Sequence, residues 1–475
     1  MNWQSTQEDG HITYNRPIWG KEKFFYATAQ NQRGLATFTA QATIKLSEGS
    51  ELGYSQFEER LKFAATFAAS MYPMLLAKVA PLRTSGQIVC RIPLNWASAY
   101  AAISARIRRL DCSSFSVDEC LEAVLTKEIA DIESLHLFWA PLSRDGAESL
   151  YTVCLASPHS LLDARAAMSM LQDIFKTIAS RSVDMPFLQW DLIARASLYL
   201  LPPPLDVLKS NPTVDHEAVS RCLEKWRKDA SKTNYVLTPK TNAPSSEGVT
   251  RRVRYKFSRE ESAVLFRKFK ALGVTNNTVL QSSIWLATVT MSPPTDEDYE
   301  RCHCVSYLAV DSRDMLRPQW RNLYNGVGLT CPLEIVAGAD RTVAMDQMMG
   351  KITEDMKFWR DSHALIDMVS VTAEGAASRS VWAAQNGVGL CNAFTANLGI
   401  VDNVLAPRYG NPSCLEVIDV CACGRITEPQ YFFRAWTFNG EYHLQVNYND
   451  HYYEEADMKL LLGAVVEAIR STLEM

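Results

Sequence analysis

Along the chain, apolar positions switch between a period of two and a helical period, and the order of the switches predicts interleaved strands and helices. Phe38, Ala40, Ala42, Ile44 and Leu46 alternate with polar neighbours, so Thr37–Leu46 is expected to be a strand. Phe57, Leu61, Ala64, Ala68 and Met71 share one helical face, which predicts a helix over Tyr54–Met71 ended by Pro73. Leu150–Ala156 is rich in strand formers, and Asp163–Ile178 places Ala167, Met170, Leu171, Ile174 and Ile178 on one helical face. Later segments repeat the theme. Arg251–Phe257 alternates, Glu260–Leu272 and Thr278–Met291 are helical, and Cys304–Val310 reads as a buried strand. Asn397–Val401 reads as a strand end. Tyr442, Leu444, Val446 and Tyr448 face away from His443, Gln445 and Asn447, and a final helix turns Met458, Leu461, Leu462, Val465 and Ile469 inward. This mixture predicts an α/β or α+β fold, without tandem repeats.

Three consecutive prolines in Leu201–Asn211 exclude a regular helix or central strand there, and Thr238–Gly248 is rich in Pro, Ser and Asn. The expected division is a lobe over 1–200, a crossover over 201–250 containing a helix at His216–Ala230, and a second lobe over 251–475. The 475 residues are 47% hydrophobic and 21% charged, ordinary for a chain that buries a large core. A net charge of −5 gives no support to nucleic acid or an anionic membrane as partner. No apolar run is long enough to span a bilayer, and the polar start, Met1-Asn2-Trp3-Gln4, lacks the order of a signal peptide. The expected location is therefore cytoplasmic, with the 12 cysteines as thiols.

Most chemical motifs are missing. There is no nucleophile elbow and no phosphate-binding loop, and Gly387-x-Gly389 lacks the rest of a dinucleotide fingerprint. Cys302-His303-Cys304 and Cys421-Ala422-Cys423 could be read as a four-thiolate zinc site. Their spacing is too short for the usual ligand pairs, so they read as small core residues and no metal is expected. The basic run Arg251–Lys256 could hold a phosphate-bearing donor, but a solvated edge strand protected by charge is the favoured reading.

One short array points to chemistry. In Ser157-Pro158-His159-Ser160-Leu161-Leu162-Asp163, a His-x-x-x-Asp (HxxxD) sequence occupies the turn between a predicted strand and a predicted helix. Rigid elements present reactive groups at such junctions, and an ordinary imidazole is largely neutral and basic near pH 7. The bland alternative is a strand-ending His159 and a helix-capping Asp163. Ser160, adjacent along the chain, is not expected to act as a nucleophile with His159.

With this array at its centre, the chain resembles the chloramphenicol-acetyltransferase-like superfamily, and within it nonribosomal-peptide condensation domains and fungal secondary-metabolite acyltransferases. The resemblance runs in order through Met71-Tyr72-Pro73-Met74-Leu75, His159 to Asp163, Gly273-Val274-Thr275, Val310-Asp311-Ser312-Arg313 with Tyr324-Asn325-Gly326, Thr395-Ala396-Asn397-Leu398-Gly399, and Tyr442–Tyr448. Pro158 and Ala164 stand where condensation domains carry a second His and a Gly, and the Asp-Phe-Gly-Trp-Gly of plant-type relatives is absent.

The resemblance implies two lobes with mixed sheets, a V-shaped cleft and a central tunnel, with a thioester donor and an acceptor entering from opposite sides. His159 would be the general base, Asp163 would pair with Arg313 as scaffold, and Asn397 is the best second polar residue near the cleft, a turn-forming Asn being its alternative. The implied enzyme is an acyltransferase of secondary (natural-product) metabolism acting on a small-molecule hydroxyl or amine. It would be a monomer without a permanently bound cofactor, using acyl-CoA or an acyl carrier protein thioester as co-substrate. A stand-alone condensation enzyme with a carrier-protein partner, a cyclase reusing the cleft and a ligand-binding protein are the alternatives.

Overall fold

The computed structural model describes residues 3–47, 54–82, 85–111, 116–129, 132–142, 150–180, 190–203, 213–230, 235–241, 248–295, 303–311, 313–317, 329–336, 341–387, 393–410 and 414–474. Their strands form two six-stranded sheets and one four-stranded sheet. The first six-stranded sheet runs Arg408–Tyr409, Leu415–Gly424, Phe38–Leu46, Leu150–Ser157, His136–Pro141, Ile107–Arg109. Its pairings are antiparallel except the last, which is parallel. The second runs Leu329–Val336, His303–Val310, Ala393–Ile400, Tyr431–Phe438, Glu441–Asn449, Thr250–Lys256, with its two inner pairings at Ala393–Ile400 parallel. Each of these sheets has its own apolar core.

Local sequence accounts for the elements beside the motif. In the helix Ala164–Ala179, Ala167, Met170, Leu171, Ile174 and Ile178 are buried, as their spacing predicts, together with Phe175. Each large apolar side chain so buried contributes roughly 1.5–3 kcal/mol. Asp163 caps this helix by accepting from Ala166 N at 2.8 Å. Ala164 is the first helical residue, a position that does not need glycine's extra freedom.

The two lobes exchange material. Strand Leu415–Gly424 comes from the second half of the sequence but pairs with Phe38–Leu46 of the first. It also meets the second sheet: Gln445 Nε2 and Asn447 Nδ2 donate to Cys423 Sγ at 3.2 and 3.0 Å, while within its own sheet Cys421 Sγ donates to Gln41 Oε1 at 3.2 Å. Apart from Lys45 and Glu441 at the strand ends, the polar positions of Phe38–Leu46 and Glu441–Asn449 are therefore as buried as the apolar ones. Period-two alternation separated their faces correctly, and the polar face lies in a hydrogen-bonded seam between sheets.

The basic run belongs to the same seam. Thr250–Lys256 is an edge strand, as expected, and Arg251 and Lys256 keep solvent exposure, but the solvated reading is corrected for Arg252 and Arg254. Arg252 is buried, donating to Asp118 and, at 2.8 Å, to Cys421 Sγ. Arg254 forms a two-pronged pair with Asp419 at 2.7 Å, and Arg251 joins Glu122 and Asp450. These guanidiniums link the lobes through carboxylate partners. Among the described residues no group of three or more metal-binding side chains occurs; Cys302 lies outside them. No helix among them is long and apolar enough to cross a membrane.

Among the elements that were not predicted are the four-stranded antiparallel sheet Gln4–Glu8, His11–Pro17, Ser85–Pro93, Ala77–Leu82, the helix Lys21–Asn31, the helix pair Arg341–Asp361 and Leu365–Gln385, and the strands His136–Pro141, Leu329–Val336, Leu415–Gly424 and Tyr431–Phe438. Lys21–Asn31 packs along Leu365–Gln385, fixed by Lys23–Glu374 at 2.5 Å and Thr28–Ser380 at 3.2 Å. Its apolar periodicity is weak because it lies between lobes instead of on one core.

Candidate active site

Strand Leu150–Ser157 delivers the chain into a turn in which Leu161 N donates to Pro158 O at 3.0 Å. Pro158 thus serves as the turn's acceptor, and buried Leu161 and Leu162 anchor the turn in the first core. His159 projects from it. One ring face stacks on Phe25 with centroids 4.0 Å apart and planes 3° apart, and Phe38 lies against the ring at 5.0 Å. Phe25 comes from the Lys21–Asn31 helix and Phe38 from the neighbouring strand, so elements distant in sequence hold the imidazole between them. Sequence reading missed Phe25; a lone aromatic on a weakly amphipathic helix carries no local signal of its target.

Nδ1 is sealed from solvent without a partner at hydrogen-bonding geometry among the described residues, whereas the residue as a whole is partly accessible. Its accessible surface therefore belongs to its other atoms. The ring is held neutral. Burial pushes its pKa down to about 3, the charges of Lys21 and Arg434 push the same way, and the backbone at His159 and Leu162 opposes them. Lys21 Nζ sits 4.9 Å from the Phe25 centroid.

Asp163 faces away from that chemistry. Arg313 Nη2 donates to both of its oxygens, at 2.7 and 2.8 Å, while Arg313 Nη1 and backbone N reach Asp311 Oδ1 at 3.1 and 3.0 Å. The structure thus brings Asp163 and Arg313 together across 150 residues, and Asp163 serves as helix cap and ion-pair partner at once. Asn397 turns on its own chain: Oδ1 accepts from Gly399 N at 2.8 Å, with Gly399 at φ +71°. The turn-forming reading fits that geometry, and it leaves the Asn397 carboxamide oxygen already engaged. Tyr324-Asn325-Gly326 lies outside the described residues.

Two further histidines share the suppression. Burial, followed by nearby arginines, lowers His136 and His443 to about 4 each. The unfolded chain protonates all three near their ordinary 6.5, and the folded chain resists until about 3 to 4. Between those values the unfolded state binds more protons, so stability falls as pH drops below about 6.5. Thermal melting at constant ionic strength should therefore show a falling midpoint from pH 7 to 4.5, with a shallower slope in a His136→Asn/His443→Asn variant. Equal slopes in the two proteins would refute the assignment.

No protein-family model matches the chain. Among curated proteins, it is 35% identical over 83 residues to the loline biosynthesis cluster 1 transcription factor lolU1 of Epichloe uncinata, a match that covers 16% of each protein. Structures are far more informative. TRI3 trichothecene 15-O-acetyltransferase from Fusarium sporotrichioides superposes with a TM-score of 0.82 at 17% identity, covering 99% of this chain and 97% of that one. The epimerization domain from the third module of tyrocidine synthetase B gives 0.59 at 12% identity, covering 98% and 99%. The EpoB cyclization-docking bidomain from Sorangium cellulosum gives 0.60 at 13% identity, covering 97% and 85%. The chain therefore has the two-lobed, chloramphenicol-acetyltransferase-like fold found in this acetyltransferase and in condensation-type domains.

Proposed function

We propose that the chain is an acyltransferase that moves an acyl group from a thioester donor, acyl-CoA in the first instance, to a hydroxyl or amine of a small secondary metabolite. The observation that carries this reading is His159: a neutral imidazole on a rigid turn, braced by Phe25 and Phe38, with the carboxylate of its own motif committed to Arg313. A base needs its neutral form and a fixed direction; this environment supplies both, at the cost of basicity in the unliganded protein. The likeness over nearly the whole length of a trichothecene 15-O-acetyltransferase supports the reaction class.

In this reading the acceptor and the thioester are held together, and His159 accepts the acceptor's proton as its oxygen or nitrogen attacks the thioester carbonyl. Proximity then supplies much of the acceleration. No residue needs to be acylated on the way. Asp163 and Arg313 fix the turn and take no proton, and Asn397 contributes at most to the shape of the strand end beside the cleft.

The test is mass-spectrometric detection of acyl transfer from a panel of acyl-CoA donors with cell extract as acceptor, wild type beside His159→Ala. Product formed only by the wild type is the expected result. Transfer seen only with acyl carrier protein donors would replace CoA by a carrier as donor, and transfer by both proteins would remove His159 from the mechanism.

A further inference from the structure

On the seam between the sheets, Arg434 is a buried cation with no carboxylate partner among the described residues. Other buried or half-buried guanidiniums between the lobes have acidic partners: Arg252 with Asp118, Arg254 with Asp419 and Arg313 with Asp163. Arg434, on strand Tyr431–Phe438, is only 8% exposed and has no carboxylate partner among the described residues. Its one hydrogen bond among them runs from Nη1 to Ala422 O at 2.6 Å, and its guanidinium lies 4.4 Å over the Phe432 ring. Carbonyl and ring together fix the orientation of the group and leave most of its donors unused.

Those donors are connected to the candidate base through Gly424 and Phe38. Nη2 approaches Gly424 so closely that an added Cβ would sit 3.3 Å from it. Gly424 pairs with Phe38 across the ladder, and the Phe38 ring touches His159. Arg434 also acts electrostatically on His159, in the direction that opposes its protonation. Proton transfer to His159 would therefore build positive charge next to an existing cation. That is unfavourable unless negative charge forms between them in the same step.

Acyl transfer forms such a charge. From this juxtaposition we infer that Arg434 is the oxyanion-stabilising residue of the acyl transfer, donating to the thioester carbonyl oxygen as it becomes negative. The inference rests on the acyltransferase reading above. In the first step the acceptor oxygen (or nitrogen) forms a bond to the carbonyl carbon, its proton passes to His159, and the C=O π pair moves onto the oxygen facing Arg434. In the second, that pair re-forms C=O, the C–S bond breaks, and the departing thiolate takes the proton from His159. Atoms and charge balance without a further reactant. A preorganised donor in a water-poor site is worth most where charge develops. The small accessible area of Arg434 suits a single oxygen better than the bulky phosphates of a donor.

The test compares wild type, His159→Ala, Arg434→Gln, Arg434→Lys and Gly424→Ala, with rates normalised to folded protein. Arg434→Gln should lower kcat by ~10²–10³, the usual effect of removing one oxyanion donor, with both KM values nearly unchanged. Arg434→Lys should recover part of the loss. Gly424→Ala, which crowds Nη2 without removing its charge, should give a smaller fall in kcat. A readout independent of turnover uses two unreactive analogues of the donor acyl-CoA, a methyl ketone and a trifluoromethyl ketone that forms a tetrahedral hydrate. Wild type should prefer the trifluoromethyl ketone, and Arg434→Gln should lose that preference.

If wild type transfers acyl groups and His159→Ala does not, but Arg434→Gln keeps kcat within about threefold, this inference alone falls. A rise only in KM for the acceptor would make Arg434 an acceptor-binding group and also overturn it. So would loss of stability at unchanged kcat, matched by Cys423→Ser, which would make Arg434 the partner of the Cys423 thiol. Full activity in His159→Ala would instead remove the acyltransferase mechanism on which the inference rests.

Discussion

His159→Ala should lower acyl transfer by ~10²–10⁴, the usual worth of a positioned general base, while the protein remains folded. The stack on Phe25 is lost, at a cost of roughly 0.5–1.5 kcal/mol for an aromatic pair. Removing a buried imidazole whose Nδ1 has no partner offsets part of that cost. The melting midpoint should therefore move little while kcat collapses, and a parallel fall in both would mean that the ring is a packing element. The same base fixes the pH profile. Neutral imidazole is the active form, and protonation begins only as pH approaches about 3. Measured on the folded enzyme, kcat/KM for the acceptor should be flat from pH 8 to 5. An inflection near 6.5 would show an ordinary, solvated histidine and would falsify the enclosed-base assignment.

Asp163→Asn should destabilise the protein by roughly 2 kcal/mol, below the ~3–5 kcal/mol of a fully buried ion pair because both side chains keep some exposure. Arg313 loses both contacts to Asp163 but keeps Asp311, which limits the cost. Asparagine still caps a helix, so this substitution isolates the charge pair from the cap; Asp163→Ala should cost about 1 kcal/mol more. Chemical denaturation of both variants measures the two amounts. Activity should fall with stability, because the turn that carries His159 runs directly into this cap. A kinetic defect with unchanged denaturation would place Asp163 in the chemistry. Equal losses in the two variants would show that the cap contributes nothing.

Much of the fold was legible from local pattern. The helices Tyr54–Met71 and Ala164–Ala179 and the strands flanking the motif appear where apolar periodicity placed them, because each buries one stripe or face in a single core. Reading failed where an element touches two bodies at once. Gln41, Gln445 and Asn447 look like solvent-facing positions and are buried in the seam. Arg252 and Arg254 look like charges protecting an edge and are interior clamps. In each case the hydration expected from a polar side chain is replaced by a partner more than a hundred residues away or by another strand, which local sequence does not encode.

The candidate site divides in the same way. The sequence by itself determined the turn that carries His159, the helix that follows it and the cap at Asp163, because turn geometry, helical spacing and capping act within a few residues. The resemblance, not spacing, named Arg313 as partner for Asp163. Only the tertiary structure decided what surrounds the imidazole: Phe25 from a helix pinned to Leu365–Gln385, Phe38 from a neighbouring strand, and Arg434 beside a strand exchanged between lobes. Whether a histidine is an ordinary titrating group or an enclosed neutral base depends on desolvation and nearby charge. Those arise from packing between segments far apart in the chain, so no local pattern could have specified them.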